Sequence, residues 1–153
     1  LGYAGVAELP GIASIKIPGV PTDPKEATEH VAAIRSMVPE HVTIGVSGDA
    51  VAATGLKPAA MLGLGIGGTL PRLALAITDA AQEGRDGEAA AESERLEPLW
   101  GLFAEFGGSL RVTAAIAEHL GWVQHGCLPL PIQGLAEAQR ARVVQVVDEL
   151  GLA

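Results

Sequence analysis

Ile12-Ala13-Ser14-Ile15-Lys16-Ile17, bracketed by Pro10-Gly11 and Pro18-Gly19, is too short for a helix and is flanked by breakers, so it reads as a buried strand. Two runs of the same kind follow. Val42-Thr43-Ile44-Gly45-Val46 is closed by Ser47-Gly48-Asp49, and Met61-Leu62-Gly63-Leu64-Gly65-Ile66 is closed by Gly67-Gly68-Thr69. The first two strands are separated by a helix. Asp23 is placed to cap it, Pro24 falls at its first position and Glu26 lies three residues after the cap; Val31, Ile34, Met37 and Val38 give the apolar face, and Pro39 ends it. A short helix over 50–55 follows the second strand, and Pro71 opens another that runs to about Gln82.

From Asp86 onward the pattern is wholly helical. One helix is expected over 88–106 with Leu96, Leu99, Trp100 and Phe103 on a face, a second over 110–120, and a third over 136–150 with Val143, Val144, Val147 and Leu150 at helical spacing. Strands alternating with helices imply a parallel sheet joined by right-handed crossovers. Strands that are apolar on both faces suit a sheet covered by helices. Three strands make a poor sheet alone, because open apolar edges invite aggregation. The remaining strands are therefore expected upstream of Leu1 or in another chain. As the chain opens on Leu1 rather than Met, it reads as a processed form or a piece.

Composition narrows the function. Among 153 residues, 48% are apolar and 18% charged, which is enough apolar surface for a packed core. Ten Lys and Arg against 18 Asp and Glu give a net charge of −8, and aromatics are 3%, so neither phosphate-backbone contacts nor base stacking is expected and nucleic acid is no partner. No apolar run is long enough for a membrane helix, and the N-terminus lacks the basic region of a signal peptide; no membrane partner and a cytoplasmic location are expected. The single cysteine, Cys127, excludes a disulfide framework and is expected to be a packed thiol. His30, His41, His119 and His125 show no ligand spacing, so no metal site is expected.

Lys16 carries the sharpest chemical signal. Alternation places Ile12, Ser14 and Lys16 on one face of the first strand and Ala13, Ile15 and Ile17 on the other. A lysine held in a buried strand is disfavoured as an ammonium, which leaves a neutral amine able to attack a ketone and form a Schiff base. A strand-end lysine reaching solvent is the competing reading. Ser47-Gly48-Asp49 stands at a strand C-terminus, where parallel sheets and barrels bind ligands; Asp49 could equally cap the next helix. Gly63-Leu64-Gly65-Ile66-Gly67-Gly68 matches the G-x-G-x-x-G dinucleotide pattern, but the stretch beyond it is helical and lacks the strand and acidic residue that the fingerprint needs. Alternation offers another reading, with Gly63, Gly65 and Gly67 on one strand face leaving room for a ligand.

Taken in order, Ile15-Lys16, Val46-Ser47-Gly48-Asp49, Gly65-Ile66-Gly67-Gly68-Thr69-Leu70-Pro71, the segment 96–106, Gly108-Ser109-Leu110-Arg111-Val112-Thr113-Ala114-Ala115 and Leu128-Pro129-Leu130-Pro131-Ile132 resemble the dihydrodipicolinate synthase and N-acetylneuraminate lyase family, over nearly the whole chain. The resemblance implies an α/β fold: about strands six to eight of a (β/α)8 barrel over 1–85, then a C-terminal helical segment over 86–153. It implies Lys16 as the Schiff-base lysine on the sixth strand, with Ser47, Gly48 and Gly63 lining the substrate pocket. The family's Gly-Thr-Thr carboxylate site and its Tyr-Asn-x-Pro proton-relay tyrosine belong upstream, and Tyr3 does not match the latter. The implied activity is a Schiff-base lyase or aldolase acting on pyruvate or a related 2-keto acid, 4-hydroxy-tetrahydrodipicolinate synthase-like. A 2-keto-3-deoxy sugar acid or N-acetylneuraminate-type aldolase is the alternative within the family. Keto acid and aldehyde substrates, no cofactor and a homo-oligomer go with it. A dinucleotide-binding oxidoreductase domain on Gly63–Gly68 and a non-catalytic fragment remain as alternatives of other classes.

Overall fold

The structure, a computed structural model, describes residues 2–51, 53, 61–63 and 65–153, with 61–63 described as backbone only. Three strands, β1 (Ser14–Ile17), β2 (Thr43–Ser47) and β3 (Met61–Gly63), form a parallel sheet in the order β1-β2-β3. Seven helices accompany them among the described residues: α1 (Tyr3–Ala7), α2 (Pro24–Arg35), α3 (Pro71–Gln82), α4 (Asp86–Arg95), α5 (Glu97–Glu105), α6 (Ser109–His119) and α7 (Glu137–Glu149). The parallel order and the helical C-terminal part agree with a partial (β/α)8 barrel followed by helices.

The chain divides into two compact units. One comprises residues 1–64 and 75–93, the other residues 65–74 and 94–153. In the first unit, Ile15, Ile17, Ile44 and Val46 of the sheet are buried together with Ala27, Val31 and Ile34 of α2. Asp23 caps α2 as the sequence requires: its Oδ1 accepts from the Lys25 and Glu26 amides at 3.0 and 2.9 Å. In the second unit, α5, α6 and α7 enclose Leu99, Phe103, Val112, Ile116, Val143 and Val147.

Several expected boundaries move, each for a local reason. The first strand begins at Ser14 rather than Ile12, because the Ile12 amide closes a turn onto the Leu9 carbonyl (3.3 Å) after Gly11 at φ +84°. That turn follows α1, which the sequence did not announce: it is five residues long and has no side-chain cap. The first long helix stops at Arg35, short of Val38. The second strand extends through Ser47 instead of ending before it. The third strand ends at Gly63, and Gly65–Gly68 coil into a 3-10 turn, so the expected strand alternation of Gly63, Gly65 and Gly67 does not hold. The short helix expected over 50–55 is seen as a 3-10 turn at Asp49–Val51; Ala52, Thr54 and Gly55 lie outside the described residues. The single helix expected over 88–106 is two, parted at Leu96. Pro98 has no amide to donate to the turn before it, and the Leu99 amide instead bonds the Leu96 carbonyl at 2.8 Å.

Candidate functional site

The candidate site is built on one face of the first unit's sheet. In β1, Ile15 and Ile17 are buried and Ser14 and Lys16 exposed, as alternation demands. Ile15 and Ile17 face the α2 side, so Lys16 stands on the face opposite the helix. The burial expected for Lys16 is not realised: the residue is exposed.

Register places the other expected residues on the same face. Lys16 pairs with Gly45, and Gly45 with Met61; one step toward the strand C-termini, Ile17 pairs with Val46, and then Ser47 with Gly63. Residues paired across a parallel ladder share a face, so the Lys16 and Gly45 row lies one layer below the Ser47 and Gly63 row. Ser47, half-buried, ends β2, and Gly48 follows at φ +108°, which favours glycine. A Cβ on Gly48 would also stand 3.3 Å from Val51. The loop leaving β1 comes close to the same end: a Cβ on Gly19 would stand 3.2 Å from the Ser47 carbonyl oxygen. Asp49 is buried in the turn that follows. Lys16, Ser47, Gly48 and Gly63 thus belong to adjacent rows and ends of one sheet face.

Sequence reading missed Gly45. It lies directly across the ladder from Lys16 and contributes no side chain beside the lysine stem. Its signal was present in the alternation of 42–46, where Thr43 and Gly45 share a parity with Ser47, but the offset between strands was needed to set it against Lys16.

A second group of chemically active side chains lies in the other unit. Glu118 on α6, His125 and Gly126 in the following loop and Arg140 on α7 converge. The His125 Nδ1 lies 3.0 Å from the Glu118 carboxylate, the Gly126 amide donates to it at 2.9 Å, and Arg140 Nε lies 3.4 Å away. Burial, the largest influence, pushes the Glu118 carboxyl up, but the His125 and Gly126 donors and the Arg140 charge outweigh it and hold the group below its ordinary value. His119 bonds Asp148 at 3.0 Å. Cys127, expected to be packed, is exposed, because the loop carrying it runs over the surface. Among the described residues no group of three or more His, Cys, Asp or Glu could hold a metal ion, and no helix is long and apolar enough to cross a membrane.

No family model and no curated protein sequence matches the chain. Solved structures do. The chain is similar to a dihydrodipicolinate synthase from Agrobacterium tumefaciens at 33% identity and a TM-score of 0.85, covering 97% of this chain and 49% of that one. It is similar to dihydrodipicolinate synthase from Thermotoga maritima at 16% identity and a TM-score of 0.80, covering 99% and 50%. The enzyme from Acinetobacter baumannii, complexed with pyruvate, aligns at 17% identity and a TM-score of 0.75, covering 99% and 50%. At the latter identities the likeness concerns the fold. The chain spans about half the length of each of these neighbours.

Proposed function

We propose that this chain, which belongs to the dihydrodipicolinate synthase and N-acetylneuraminate lyase family as the C-terminal half of that fold, supplies the Schiff-base lysine of a lyase or aldolase acting on pyruvate or a related 2-keto acid. The observation that carries the reading is the placement of Lys16: a lysine on the strand face turned away from α2, in register with Gly45, one layer below Ser47 and Gly63. Barrel enzymes place their chemistry at the C-terminal ends of the strands, and that is the end at which Ser47 and Gly48 stand.

The chemistry follows from an amine in such a position. Neutral Lys16 Nζ attacks the ketone carbon, the carbinolamine loses water, and the protonated imine draws electrons from the adjacent carbon. That carbon then loses a proton, or its bond to the next, hydroxyl-bearing carbon breaks as that hydroxyl gives up its proton and the fragment leaves as an aldehyde; either way an enamine remains. The enamine adds to an aldehyde, or is reprotonated, and water releases the product from the lysine. The backbone groups at Ser47, Gly48 and Gly63 would line the pocket around the keto acid, and no cofactor enters the sequence. Pyruvate bound to the Acinetobacter baumannii neighbour supports a 2-keto acid as the first substrate. A homo-oligomer formed by the whole enzyme is part of the same reading.

Borohydride reduction in the presence of pyruvate, on an intact enzyme containing this segment, tests it. The expected result is a stable adduct on the peptide carrying Lys16, absent without pyruvate. No adduct with pyruvate or a 2-keto-3-deoxy sugar acid, or an adduct on another lysine, overturns the reading. Comparing the two keto acids chooses between the synthase-like and sugar-acid members.

A further inference from the structure

We propose that a pocket of about 200 Å³ in the second unit, lined by Arg111, Ala114, Glu118, His125 and Arg140, is a binding site for one small oxyanion, a carboxylate or a phosphate. The proposal is independent of the Lys16 chemistry.

Charge makes the argument. Glu118 contributes one negative charge to the pocket, and Arg140 Nε answers it at 3.4 Å. Arg111, half-buried on the first turn of α6, has no carboxylate partner among the described residues; its Nη2 donates to the Phe106 carbonyl. A half-buried guanidinium with only a neutral acceptor retains donors and an uncompensated charge. Arg140 Nη1 lies 3.2 Å from His125 Nε2, and a guanidinium can only donate, so Nε2 accepts and Nδ1 carries the proton toward Glu118. Arg111 and Arg140 against Glu118 therefore leave one excess positive charge in a chain whose net charge is −8.

Geometry fixes the size of the ligand. Arg111, Ala114 and Glu118 follow one another on a single face of α6, and Arg140 approaches from α7. Drug-sized and nucleotide ligands occupy pockets of roughly 300–1,000 Å³, so this one admits a single small oxyanion. Glu118, with its three partners, holds His125 and Arg140 in place and leaves Arg111 to take the anion. Arg pairs with carboxylate and phosphate through parallel N–H bonds, which suits this class of ligand.

The test is an NMR titration of the full chain, following the Arg111 Nε–H and His125 ring signals. Inorganic phosphate and acetate are added separately, with chloride at matched ionic strength as the reference. A saturable shift with phosphate or acetate, not reproduced by chloride, is expected, and the arm that saturates identifies the source. Arg111→Gln should weaken that binding about tenfold or more, the scale of a lost charge-assisted bond. Ala114→Leu fills the pocket without touching a charge and should abolish saturation. Linear or chloride-like shifts, or unchanged affinity in Arg111→Gln, overturn the proposal. Should Arg111→Gln lose its circular dichroism, Ala114→Leu decides alone: retained binding overturns the site, and lost binding supports it.

Discussion

At Lys16 the same residue type serves two different physical demands. Lys16 is exposed on its strand face, whereas covering such a face disfavours the charged form of a lysine and favours the amine as a nucleophile. Substitution separates a chemical from a structural role. In an intact enzyme containing this segment, Lys16→Ala should abolish borohydride trapping and lower kcat by far more than tenfold, a factor worth only about 1.4 kcal/mol of barrier. Lys16→Arg should fail equally, because a guanidinium stays protonated at neutral pH. Turnover within tenfold of the parent in either variant would make Lys16 a structural residue. Asp23 presents the contrasting case of a side chain whose role is local. It accepts two amides at the start of α2, so Asp23→Ala should cost about 1 kcal/mol in a urea melt and leave keto-acid trapping unchanged.

At the scale of elements, the helices of the second unit hold together through buried apolar side chains and a surface ion pair. Ile116 on α6 and Val143 and Val147 on α7 are fully buried, and the two helices pack on one another. Ile116→Ala should therefore destabilise the chain by roughly 2–5 kcal/mol, measured by the shift of the denaturant midpoint. Arg142 on α7 reaches Glu105 on α5 with both terminal nitrogens, at 2.5 and 2.9 Å. These hydrogen bonds are the main reason the Glu105 carboxyl titrates below its ordinary value. A carboxyl depressed in the folded state stabilises the fold above its unfolded value, about 4.3, and loses that contribution as pH falls through the folded one. Comparing urea midpoints at neutral and acid pH, the parent should lose more stability on acidification than Glu105→Gln. Equal losses would show that the pair contributes nothing, as many exposed pairs do. The legible and illegible parts of α4 and α5 illustrate the same balance. Apolar spacing over 88–106 reveals helix but not the break at Leu96, because periodicity runs through a proline whose missing amide interrupts only the backbone ladder.

For the whole molecule, the deciding feature is the first strand, one face of which is buried and the other exposed. β1 has a strand partner only in β2 among the described residues, and its Ser14 and Lys16 face is exposed. An unpaired parallel edge is a template for further strand pairing. The chain by itself is therefore expected to self-associate in sedimentation velocity at micromolar concentration. A single monomeric species with a cooperative melt would show that the edge is tolerated. A polypeptide extended to the full length of the neighbours, about twice this chain, should suppress that association by pairing β1.

Legible in the residues alone were the parallel alternation, the cap of α2, the helical character of the C-terminal part and the residue types at the candidate site. Each of these is a local preference written in a run of neighbouring residues, whether alternation, capping chemistry or helical spacing. That Lys16 lies across from Gly45, and Ser47 from Gly63, emerged with the three-dimensional structure, because register is an offset between strands separated by a helix. The meeting of Glu118, His125 and Arg140 is likewise a tertiary matter. They stand seven and fifteen residues apart with no motif linking them, and they come together because the packing of α6 on α7 brings their ends and the intervening loop into one place.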